Sequence, residues 1–140
     1  MRSSFSVALL LCIAVPAIAA ETPIGRQQLN DWEPEIGYVA ITRVDNTLYL
    51  SGIACSGDGM QAAVTSCYQR IATILGKYSV GTDRIVKENV YTTDIEALKK
   101  SIPDRKTFFK EARYPAATWV EVRRLFDPSH LLEVEVIVQL

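Results

Sequence analysis

The last ten residues, LLEVEVIVQL (131–140), constrain the fold more than any other stretch. Leu132, Val134, Val136 and Val138 alternate with Glu133, Glu135, Ile137 and Gln139, a pattern that a strand with two different faces satisfies. The first face belongs against a core. Ile137, together with Tyr49 and Trp119 on other strands, makes the second face too apolar for water alone, so an oligomer that covers it is expected.

The other end of the chain is read separately. In MRSSFSVALLLCIAVPAIAA, Arg2 precedes an apolar run from Val7 to Val15, and Ala17 and Ala19 sit at signal-peptidase spacing. Residues 1–20 therefore read as an export signal, cleaved near Ala20 or Glu21. The apolar run is too short for a retained anchor, and bulky Leu11 before Cys12 argues against a lipoprotein signal. Residues 21–140 are expected to form one domain, periplasmic or secreted, with no membrane anchor.

With Arg2 set aside, 14 basic residues face 16 acidic ones, a net of −2, and the lysines and arginines are scattered. That is not the footprint of a nucleic-acid binder, and no nucleic-acid partner is expected. With His130 the one histidine and no clustered ligands, neither a metal nor a cofactor is expected. Beyond the signal two cysteines remain, Cys55 and Cys67. In an oxidising compartment they invite a disulfide that pins the loop between them; the alternative is two buried free thiols.

Between the ends, the polar stretch ETPIGRQQLNDWEPE (21–35) reads as an extended lead-in. Tyr38–Arg43 and Thr47–Gly52 read as strands joined at Val44-Asp45-Asn46, a hairpin signal. After SGDG (56–59), apolar residues at Val64, Cys67 or Tyr68, Ile71, Ile74 or Leu75, and Tyr78 recur at helical spacing. A third strand is expected over Arg84–Thr93, with Val86 and Val90 on one face. Asp94 can cap a short second helix, and Pro103 can start a further turn toward Phe108 and Phe109. Strands over Thr118–Arg124 and at the C-terminus complete an α+β order, ββ-α-β-α-ββ, with two helices on one face of a mixed sheet.

Glu133 and Glu135 project from one face, where partial desolvation would raise a carboxyl pKa and suit acid–base work. The plainer reading pairs them with Arg123, Arg124 or a lysine. Tyr38 and Ser51 can be polar site groups or ordinary strand residues. Ser51 lacks a nucleophile-elbow context and His130 shows no triad partner, so the residues by themselves do not reach an enzyme.

Five stretches nevertheless cover nearly all of the mature chain in the order of one family. They are IGYV (36–39), NTLYLSGIA (46–54), VGTDRIVKENVYTTDI (80–95), YPAATWVEVRRL (114–125) and LLEVEVIVQL (131–140). In these the chain resembles the RidA/YjgF imine and enamine deaminases, also labelled L-PSP endoribonucleases. The resemblance implies a chorismate-mutase-like α+β fold, assembled as a homotrimer with small-molecule sites in the intersubunit clefts. In deaminating members an arginine grips the carboxylate of a 2-imino or 2-enamino acid, and a last-strand carboxylate activates the hydrolytic water.

Carried over by position, Tyr38, Ser51 and Gly52 match the family's pocket residues, and Glu133 matches the water-activating glutamate. Three positions depart: Ala117 stands where the carboxylate-binding arginine is expected, Trp119 where a small residue or cysteine is usual, and Ile53 for a glutamine. The expected function is hydrolysis of imines, enamines or related small metabolites, with Glu133 catalytic and Ala117 and Trp119 lining an altered pocket. The alternatives are a trimer that binds a small molecule without turnover, and a stress-related holdase.

Overall fold

A computed structural model describes residues 22–140, and the expected signal over residues 1–20 lies outside the described residues. The elements in chain order are β1 (Ile24–Gln27), β2 (Ile41–Val44), β3 (Thr47–Cys55), α1 (Met60–Gly76), β4 (Ile85–Thr92), α2 (Ile95–Lys100), α3 (Ile102–Lys106), β5 (Ala116–Glu121) and β6 (Leu132–Gln139). The strands form one sheet in the order β1-β2-β3-β6-β4-β5. Neighbours are antiparallel except β4 and β5, whose parallel pairing requires the crossover that α2 and α3 supply. The fold is the expected α+β arrangement.

The alternation in β6 places Leu132, Val134, Val136 and Val138 in the core and leaves Glu133, Glu135 and Ile137 half-buried on the open face. Against the core face, α1 buries Val64, Cys67, Tyr68, Ile71 and Leu75, as the helical spacing predicts, but the helix ends at Gly76 and leaves Tyr78 in the turn that follows. The two-residue turn between β2 and β3 puts Asp45 at φ 50°, a left-handed conformation that aspartate tolerates. Asp94 caps α2 by accepting from Ala97 N at 2.9 Å. The second helical stretch breaks at Ser101, and Pro103 lies in the first turn of α3.

Three local expectations need correction. The polar lead-in contains an edge strand, β1, paired with β2 from Ile24 opposite Val44 to Gln27 opposite Ile41. All four of its residues are exposed, so no buried face marked it in the sequence. In β4 the register slips between Ile85 and Lys87. The extra residue turns Val86 outward while Val90 stays buried, so the two valines do not share a face. Trp119, finally, does not join Tyr49 and Ile137 on the open face. It lies opposite Val90, and its Nε1 donates to Glu88 Oε1 at 2.9 Å on the helix-covered side.

Glu88 is fully buried because that slip points it at the helices. Its carboxylate also accepts from Arg105 Nη2 at 2.5 Å and from the Tyr68 hydroxyl at 2.8 Å. The Arg105 guanidinium lies 4.6 Å from the Phe109 ring centre and 5.1 Å from that of Trp119, with Tyr68 and Tyr114 just beyond. A charge taken from water persists in a core only when paired and hydrogen-bonded, and this cluster meets both conditions. Burial, with Glu88 adjacent, pushes the Tyr68 hydroxyl far above its ordinary pKa, so it remains a donor.

Candidate functional site

A second register slip shapes the site. Between Leu50 and Ile53 the pairing of β3 with β6 is interrupted, and Ser51 and Gly52 bulge from the ladder. Ser51 turns back to the segment before β2: its N donates to Ala40 O at 2.9 Å and its Oγ to Val39 O at 2.7 Å. The Tyr38 hydroxyl donates to Gly52 O at 3.0 Å. Tyr38 and Ser51 are thus held together by the bulge, although they are distant in sequence.

Gly52 is required by what lies over it. A Cβ there would fall 2.6 Å from Glu133 Cδ and overlap the carboxylate itself. The Glu133 side chain therefore lies across the bulge, in the space that a larger residue at position 52 would take. Among the described residues it enters no ion pair, with Arg123, Arg124 or any lysine. Burial, then the neighbouring Glu135 charge, raises its pKa above the ordinary 4.5, and His130 opposes the rise. Glu135 differs: it accepts from Asn89 Nδ2 at 2.5 Å and from the Tyr91 hydroxyl at 3.1 Å. The two glutamates share a face but not an environment.

These groups line a cavity of about 540 Å³, a size usual for small-molecule sites. Its polar lining is Asn30, Tyr38, Ser51, Arg70, His130 and Glu133, with the Gly52 backbone. Trp32, Ile36, Ile74 and Phe126 give it apolar walls, and of these Phe126 is 85% exposed at the rim. The wall that carries Trp32 and Ile36 is fixed by a buried carboxylate. Glu33 accepts from Leu29 N, Asn30 N and Ala40 N, each at 3.0 Å, and from Asn30 Nδ2 at 2.8 Å. Burial alone would raise its pKa, but these donors outweigh it and hold the carboxyl below its ordinary value.

The structure brings Tyr38, Ser51, Gly52 and Glu133 together. Within one protomer it places Ala117 and Trp119 elsewhere, on β5 at the far edge of the sheet, with Ala117 opposite Glu88. Cys55 and Cys67 form a disulfide, with Cα atoms 5.7 Å apart, joining the end of β3 to α1 beside the cavity. Sequence reasoning missed Arg70 and gave His130 no role. A signal for Arg70 was present, since it follows Cys67 by three residues on the helix and so shares a face with it. Among the described residues no group of three histidine, cysteine or acidic side chains could hold a metal, and no helix is long and apolar enough to cross a membrane.

Such an arrangement, a mixed sheet backed by helices with a carboxylate over a strand bulge, is an α+β fold of the RidA type. The sequence profile of the endoribonuclease L-PSP family matches residues 29–140, and the chain belongs to that family, also known as YjgF/RidA. Among solved structures, a YjgF/YER057c/UK114-family member from Mycobacterium tuberculosis is 24% identical with a TM-score of 0.75, covering 84% of this chain and 100% of that one. RidA from an Antarctic Psychrobacter is 22% identical with a TM-score of 0.69, covering 82% and 94%. A Pseudomonas aeruginosa protein described as of unknown function is 24% identical with a TM-score of 0.75, covering 86% and 94%. At these identities the likeness concerns the fold. No curated protein matches the chain.

Proposed function

We propose that the mature chain is a hydrolase of small imines or enamines. An enamine first tautomerises to its imine; water adds to the C=N carbon, the nitrogen leaves as ammonia, and a carbonyl compound remains. Glu133 takes a proton from the attacking water and gives it to the nitrogen, then relays the hydroxyl proton of the resulting carbinolamine to the same nitrogen as the C–N bond breaks. The observation that carries this reading is the Glu133 carboxylate, raised in pKa and lying across Gly52 beside Tyr38 and Ser51. A carboxyl shifted upward by burial is better matched to proton transfer near neutrality than a solvated one.

The protein works outside the cytoplasm after loss of residues 1–20, as a homotrimer whose contacts cover the open sheet face. Tyr49 and Val120, 45% and 39% exposed there, support that part of the reading. Purified mature protein should release ammonia and 2-keto acids from freshly generated 2-imino acids, and Glu133→Gln should abolish the release. An unchanged rate in Glu133→Gln overturns the mechanism. Light scattering should give three times the chain mass, and a monomer at micromolar concentration overturns the trimer.

A second reading, a trimer that binds a small molecule without turnover, is favoured by Ala117 at the position where the resemblance expects an arginine. It requires ligand-dependent thermal stabilisation with no product formed.

A further inference from the structure

A cavity that takes 2-imino acids must neutralise a carboxylate, and position 117 supplies a methyl group. Arg105, the one arginine near Ala117 in the core, is held by Glu88 at 2.5 Å and by the Tyr68 hydroxyl at 3.0 Å. Arg123 and Arg124, exposed like Arg70, do not line the cavity. Arg70 does. We propose that Arg70, on α1, is the carboxylate anchor of this site, and that the ligands it selects are 2-imino or 2-keto acids with bulky apolar substituents. This rests on the small-molecule reading of the Glu133 cavity.

Arg70 is positioned rather than merely nearby. Its Nη1 donates to Ala54 O at 2.8 Å, and Ala54 lies directly opposite Glu133 in the pairing of β3 with β6. The same nitrogen is 3.7 Å from Cys55 Sγ, so the disulfide that ties Cys55 to Cys67 also fixes the helical turn that carries Arg70. Among the described residues Nε and Nη2 have no acceptor, and Arg70 forms no ion pair, with Glu133 or any other carboxylate. A guanidinium anchored at one nitrogen and open along another edge can grip a planar carboxylate through two parallel hydrogen bonds.

Cation and carboxylate line one cavity without neutralising each other. A ligand bound between them would have its carboxylate on Arg70 and its neighbouring carbon toward Glu133. Trp32, Ile36, Ile74 and Phe126 then face the substituent, and about 540 Å³ exceeds what the smallest 2-keto acid fills.

The test uses binding and turnover in parallel, on the mature disulfide-bonded protein. In calorimetry, 4-methyl-2-oxopentanoate should bind more tightly than both its uncharged amide and pyruvate. Arg70→Gln should weaken the acid roughly ten- to hundredfold and leave the amide unaffected, with Arg70→Lys in between. In turnover of the matching imine, Arg70→Gln should raise KM by a similar factor and change kcat little. An Arg70→Gln protein that melts like wild type yet binds the acid equally well overturns the anchor, even if imine hydrolysis persists. If no imine is hydrolysed but acid binding still depends on Arg70, the anchor stands and the hydrolase reading falls. Equal binding of pyruvate and 4-methyl-2-oxopentanoate overturns the apolar selectivity.

Discussion

Replacing Glu88 with glutamine removes one charge from the most enclosed ion pair among the described residues and keeps the shape of the side chain. The Glu88 side chain is 0% exposed and that of Arg105 7% exposed, so neither can turn to water for compensation. Three donors converge on the carboxylate, from Arg105, Tyr68 and Trp119. Breaking a buried pair by removing one partner costs about 3–5 kcal/mol, because the other charge is left uncompensated. Four aromatic rings with centres 4.6–5.8 Å from the Arg105 guanidinium still attract the cation. The expected loss therefore lies at the lower end, about 3 kcal/mol, or about 12 °C of melting temperature for a domain of this size. Urea unfolding followed by circular dichroism, with the disulfide intact, measures it. Glu96→Gln is the control: its pair with Lys99 is exposed, and its removal should cost no more than about 0.5 kcal/mol. The double variant Glu88→Leu/Arg105→Met, which removes both charges, should recover most of the loss. A Glu88→Gln loss under about 1 kcal/mol would mean that water reaches Arg105 in solution and that the pair is not the closed unit described above.

Glu133 gives the opposite sign. Its raised pKa means that the native protein holds this proton more tightly than the unfolded chain, so its contribution to stability is complete below the unfolded value and is lost as pH rises through the folded one. Glu133→Gln should therefore melt higher than wild type at neutral pH, the difference should vanish below about pH 4, and melting curves across that range check it. Turnover should fall as pH drops through the same folded pKa, because the base must be ionised; a rate independent of pH between 4 and 8 contradicts the role. Gly52→Ala should displace the Glu133 carboxylate and lower kcat at least tenfold with the fold retained, as measured by imine hydrolysis beside circular dichroism. Reducing the Cys55–Cys67 bridge, which closes a loop of 12 residues, should cost about 3 kcal/mol in denaturant unfolding.

Much of the sheet was legible because β3 and β6 alternate and α1 repeats at helical spacing, and both patterns survive tertiary packing. What was not legible follows from single-residue slips. Val86 and Val90 have the right spacing to share a face, yet one extra residue in β4 separates them and sends Glu88 into the core. From the sequence, Glu88 is one more strand glutamate. Only the register shows that it needs Arg105, which lies 17 residues further on in a different element. The site divides in the same way. Tyr38, Ser51, Gly52 and Glu133 are legible through the family resemblance, whereas Arg70 reaches the cavity through a helix that the disulfide ties down.

Trp119 shows how these slips bear on the site. An indole replaces a smaller side chain on an edge strand at little cost only if its N–H finds an acceptor, and the buried Glu88 carboxylate is that acceptor at 2.9 Å. Trp119 in turn closes one side of the box around Arg105. The arginine nearest to Ala117 in the core is thereby committed to packing, on the face away from Glu133. The guanidinium that shares a cavity with Glu133 in one protomer comes from α1 instead, as Arg70, which reaches the backbone of β3 at Ala54. Arg70 and Arg105 thus have opposite fates, one lining the cavity without an ion pair and the other buried against a glutamate, and both follow from where the strand bulges place their neighbours.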